Sequence, residues 1–130
     1  MLGLAEEGEG VVVADFEAGI GTLTRLRKPV DAILVVVEPT KKSLEVGSRG
    51  AALARADKLG PVLVIANRIR DDADRSAVRA AFPDDETVFI DDDPGVEEAD
   101  RQGRSPVDTA ADGAAVLALE AVAALFATRT

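Results

Sequence analysis

Four apolar runs punctuate the chain: "VVVAD" (11–15), "AILVVVE" (32–38), "PVLVIAN" (61–67) and "TVFIDDD" (87–93). The first three are unbroken blocks of aliphatic residues rather than alternations, the pattern of parallel strands buried on both faces. Each run meets a polar side chain at its end: Asp15, Glu38, Asn67 and Asp91. In open α/β sheets the ligand crevice lies outside the carboxyl ends of the strands, so this pattern predicts four polar tips on one rim.

Helical patterns separate the runs. "TKKSLEVGSRGAALARADKLG" (40–60) follows Pro39, has Thr40 or Ser43 as cap candidates, and stops at Gly60 before Pro61. Leu44, Ala51, Ala52, Leu53 and Ala56 can form its apolar face, whereas Gly47 and Gly50 weaken its helix propensity. "DADRSAVRAAF" (72–82) ends at Pro83, and "PGVEEADRQG" (94–103) opens on a proline suited to a first helical turn. "DTAADGAAVLALEAVAALFATR" (108–129) predicts a terminal helix with Val116, Leu119, Val122 and Leu125 or Phe126 near helical spacing. Strands alternating with helices mean βαβ units and right-handed crossovers. The expected fold is one α/β domain over residues 1–130, irregular over 1–10, with a mostly parallel sheet and helices on both faces.

Composition narrows the chemistry. With no Cys and no His, disulfides, thiol nucleophiles, zinc sites and imidazole acid–base catalysis have no residues to use. Oxygen-ligated hard cations such as Mg²⁺ are the metals that fit, and no iron–sulfur or haem site is expected. A formal net charge of −9 argues against nucleic acid as a partner, because phosphate neutralisation needs clustered Lys and Arg. The opening "MLGLAEEGEG" turns acidic before a signal-peptide core can form, and no apolar run approaches a membrane span. A cytoplasmic protein is expected.

The tips "ADFEAG", "VVVEPT", "ANRIR" and "VFIDDDPGVEEADRQGRSPVD", in that order, carry a resemblance. From residue 11 onward the chain resembles the C-terminal part of the MinD/ParA/nitrogenase-iron-protein group of P-loop ATPases. Within that group it looks most like the CooC-type maturation ATPases of carbon monoxide dehydrogenase. The resemblance implies that Asp15 ends a Walker B strand and holds Mg²⁺ through water. It implies that Glu17 to Ile20, with Gly19, follow the γ-phosphate. It further implies that Asn67 with Arg68 reads an adenine edge, and that the loop through Asp93 and Pro94 covers the base. Mg-ATP or Mg-ADP would be the ligand, and a homodimer or a partner ATPase chain the assembly. A part in metalloenzyme maturation would come from that likeness alone.

The residue types suit those roles. A carboxylate at a strand tip fits hydrated Mg²⁺, an Asn amide offers a paired donor and acceptor, and Gly19 and Gly21 permit close backbone approach to phosphate. The group's phosphate loop, G-x-x-x-x-G-K-[ST], does not occur in this sequence. "KKS" (41–43) follows the wrong strand and lacks a glycine loop before it. Phosphoryl transfer rests on the positioning and charge stabilisation such a loop supplies, so no ATP hydrolysis by this chain alone is expected. The chain reads as a unit truncated on its N-terminal side, with an unpaired apolar edge where a central strand belongs. Either strands 11–15 and 32–38 pair directly, or a second chain fills the gap.

Three functions follow: a nucleotide-binding half completed by another polypeptide, a non-enzymatic module that docks on a partner ATPase, or an unrelated Mg²⁺ enzyme built on Asp15, Glu17, Asp91, Asp92 and Asp93. Structural roles compete at each position. Asp15 can cap a helix, Asn67 can bond its own turn, Glu38 can hold the Pro39 turn, and Asp91–Asp93 can be a solvated loop.

Overall fold

Three of the four apolar runs build the sheet. The computed structural model describes residues 10–16 and 29–127. Strands β1 (Ile33–Val37), β2 (Val62–Ile69) and β3 (Glu86–Asp91) lie side by side in that order and are all parallel. Helices α1 (Lys41–Ala56) and α2 (Asp72–Ala81) make the two crossovers. After β3 come α3 (Pro94–Arg101), the single turn α4 (Pro106–Thr109) and α5 (Ala114–Ala127). The α/β architecture expected from the alternation is what the chain adopts.

The parallel register sorts side chains between two faces. Val35 pairs with Val64 and Val37 with Ala66, and this face packs under α1 and α2 through Ala51, Val78 and Phe82. Leu34 pairs with Leu63 and Val36 with Ile65 on the opposite face. There Leu63, Ile65 and Ile90 are buried against Ala115 and Val122 of α5. Coverage by α5 stops short of β1, leaving Leu34 42% and Val36 63% exposed. Continuous apolar runs are therefore needed only where both faces are covered, in β2 above all.

Local chemistry sets the element ends. Thr40 caps α1, its hydroxyl accepting from the Ser43 N–H at 3.2 Å, while the Ser43 hydroxyl accepts from the Glu38 N–H at 2.9 Å. The two cap candidates thus act together, one on each side of the turn. Along α1 the buried positions are Gly47, Gly50, Ala51 and Ala54, whereas Ala52 and Ala56 face solvent. The expected face is rotated because the helix lies close on the sheet. A Cβ at Gly47 would run into Val37 Cγ1 and sit 3.1 Å from Phe82 Cζ. The predicted terminal helix is split at 110–113, where Gly113 lies so close to Asp93 Oδ2 that a Cβ would collide with it.

The predicted strand at 11–15 does not form. Residues 11–16 are irregular and exposed, with Val11 at 77% and Val13 at 82%. A strand exists only with a neighbour to pair with, and among the described residues β1 has β2 on one side and no strand on the other. Neither the direct pairing of 11–15 with 32–38 nor any other pairing of that run occurs among the described residues. The expectations for Glu17 and Gly19 lie outside the described residues.

Candidate functional site

The carboxyl ends of the three strands bring Glu38, Asn67, Arg68, Asp91, Asp92 and Asp93 to one rim. β2 does not stop at Asn67, as its sequence pattern implied, but continues to Ile69 through an irregularity. Ala66 pairs with Phe89 and Ile69 with Asp91, so Asn67 and Arg68 together stand opposite Ile90 alone. Arg68 takes φ of +60°, a left-handed conformation that costs a non-glycine residue about 1–2 kcal/mol. Extra residues of this kind re-aim side chains at strand ends and are frequent beside binding sites.

The Arg68 guanidinium reaches across the rim. It stands 3.4 Å from Glu38 Oε1 at the end of β1 and 3.7 Å from Asp92 Oδ1 beyond β3. Both pairs are solvent-exposed, so each contributes about 0–1 kcal/mol. Their geometry matters more than their strength, because one side chain links all three strand ends. Asn67 is half-buried beside it, and among the described residues no hydrogen bond engages its amide. That leaves a donor and an acceptor free on the rim.

Asp93 is differently placed. Oδ1 accepts from the Gly95 N–H at 2.9 Å and caps α3, while Oδ2 accepts from the Ala115 N–H at 3.1 Å in the first turn of α5. One carboxylate thus holds two helix starts together, with Gly95 and Gly113 packed around it. Pro94 is the exposed first residue of α3. Asp91 pairs with Arg75, and Arg79 lies over the Phe89 ring at 4.9 Å. Asp15 stands exposed in the irregular segment, and among the described residues no cluster of three carboxylates is placed to hold a metal ion.

A local network runs from Arg70 to Asp74. Asp71 caps α2 by accepting from the Asp74 N–H at 2.9 Å. Asp74, buried within the first turn, accepts from the Arg70 N–H at 2.9 Å and from Arg70 Nε at 3.0 Å, both on Oδ2. Oδ1 takes the second guanidinium nitrogen at 3.2 Å. The Arg70 side chain first, and its backbone N–H second, hold the Asp74 carboxyl below the ordinary aspartate value against the opposing effect of burial. The i,i+4 spacing of Arg70 and Asp74 was the available signal.

Two hollows lie away from this rim. One, of about 40 Å³, sits at the amino ends of the strands between Pro61, Glu86, Leu125 and Phe126. The other is a shallow depression on α1 and α2 beside Leu44, Ser48 and Arg49. The first is far below the roughly 300–1,000 Å³ of small-molecule pockets. Among the described residues, no helix is long and apolar enough to cross a membrane. No protein-family model matches the chain, and no curated protein matches it.

Proposed function

We propose that this chain is an adenine-nucleotide-binding half-site, with Asn67 and Arg68 contributing the base side and another stretch of polypeptide contributing the phosphate loop and the Mg²⁺ environment. The observation that carries the reading is the uncommitted Asn67 amide beside the left-handed Arg68, at the carboxyl end of the central strand. A backbone held in a costly conformation at such a place marks a position where a side chain is aimed for use. Asn67 presents the donor–acceptor pair that an adenine edge satisfies. Arg68, exposed and shared between two carboxylates, can turn toward a ribose or phosphate oxygen. Asp93 and Pro94 bound the rim on the β3 side. On this reading Asp93 contributes by fixing the loop, since both of its oxygens are engaged in helix caps. The chain alone does not hydrolyse ATP, because nothing in its sequence supplies the backbone cradle and Lys for a triphosphate.

Thermal melts with Mg-ATP, Mg-ADP and Mg-GTP test this. A ligand that binds only the folded state stabilises it by about 2.7 kcal/mol at a hundred times its dissociation constant. The expected result is an upward shift with both adenine nucleotides, a smaller one with Mg-GTP, and no shift in Asn67→Ala. A cooperative melt that no nucleotide moves, or a shift that survives Asn67→Ala, rejects the reading. The alternative, a non-enzymatic module that docks on a partner ATPase, is favoured by one other observation: the apolar edge of β1, unpaired among the described residues.

A further inference from the structure

The two outer strands of the sheet are finished differently. β3 carries Glu86 and Asp91 at its ends, and Arg75 and Arg79 of α2 lean over Phe89. Charges of this kind are how sheet edges are kept from pairing with other chains. β1 has no charge in its five residues, Ile33 to Val37. The Ile33 N–H donates to the Pro61 carbonyl at 2.8 Å, so the alternate residues Ile33, Val35 and Val37 face β2. The N–H and C=O groups of Leu34 and Val36 therefore point away from the sheet. Those two residues also have exposed apolar side chains. Among the described residues, an open ladder edge and an apolar surface coincide.

The same chain carries a segment that matches this edge. Val11 to Asp15 is as long as β1, is headed by three β-branched residues, and stands exposed without ladder partners. We propose that the free edge of β1 takes up residues 11–15 from a second copy of this chain, so that two copies exchange these segments reciprocally. In the single chain the segment is unpaired, so the exchange would satisfy in the pair what one copy leaves open. Main-chain hydrogen bonds would supply the affinity, as in other cases of strand addition to an exposed edge. A parallel alignment sets Asp15 at the carboxyl rim near both Glu38 and Arg68, whereas the reverse alignment sets it near Asp31 at the amino end. The edge of β1 is a different surface from the one the nucleotide reading uses at Asn67, although a parallel exchange would bring Asp15 to the same rim.

Light scattering at rising protein concentration tests the exchange on the full chain, with Val12→Lys and Val36→Lys as variants. Both side chains are exposed, so unchanged far-UV spectra and melts in dilute solution would verify that the variants fold. The expected result is a wild-type species of twice the chain mass at high concentration, with each variant remaining at single-chain mass. Hydrogen exchange should slow at Val11–Ala14 only as the dimer forms. A wild type that stays at single-chain mass overturns the proposal, and so does a dimer that persists in either variant. Slow exchange of Val11–Ala14 already in the monomer also overturns it, since the segment would then be pairing within its own chain.

Discussion

Asp74 shows how much one carboxylate can do when both its oxygens are engaged. It receives the Arg70 N–H and two guanidinium nitrogens, and its own N–H is held by Asp71. Because Arg70 lowers its pKa in the folded state, folding favours the ionised form. The associated stability is complete above the unfolded-state value near pH 4 and is lost as the pH falls through the lower folded-state value. Asp74→Asn keeps the shape and removes the charge. The expected outcome is a variant with a lower urea midpoint than wild type at neutral pH, and a difference that narrows steadily below about pH 4. A difference unchanged down to the acid limit would mean that the ion pair contributes nothing that titrates. The sequence shows this residue only as part of an acidic cluster, "DDADR". Spacing alone does not say that Arg70 turns back across the first turn of α2 while Asp72 stays in solvent.

At the scale of elements, packing overrules propensity in α1. Gly47 and Gly50 count against a helix when read along the chain, yet both are buried, and Gly47 is a point where α1 comes close to the sheet. Gly47→Ala gains about 1 kcal/mol of helix propensity at most. Against that, its Cβ meets the branched, buried Val37 and the ring of Phe82, and overpacking of this kind costs about 1–3 kcal/mol. A net destabilisation of about 1 kcal/mol is therefore expected in chemical denaturation, and a stabilised variant would show that α1 can ride outward freely. The strand blocks were legible for a related reason: unbroken aliphatic runs need two covered faces, and β2 has them. The run at 11–15 has the same local pattern but no neighbour, and a local pattern carries no information about neighbours. Nor does anything in "VLVIANRI" announce that Asn67 and Arg68 will share one pairing position. The polar tips of the site were readable as tips; the left-handed turn that aims them was not.

Across the whole molecule the sheet is covered unequally, and one register pair makes the inequality measurable. Val36 and Ile65 lie side by side on the same face, but Ile65 is 3% exposed beneath α5 while Val36 stands in solvent. Both are aliphatic and both sit in parallel strands, so intrinsic strand preference separates them little. What differs is whether truncation leaves a cavity. Ile65→Ala removes buried methyl and methylene groups from a site walled by β3 and α5, which should cost about 2–5 kcal/mol. Val36→Ala removes groups already in water, and in dilute solution its cost should stay within about 0.5 kcal/mol. Urea titrations at low protein concentration compare the two directly, and an unchanged slope confirms that the same unfolding is being measured. If Val36→Ala costs nearly as much as Ile65→Ala under those conditions, the β1 half of this face is covered in the single chain, and the sheet is more complete than its three strands imply.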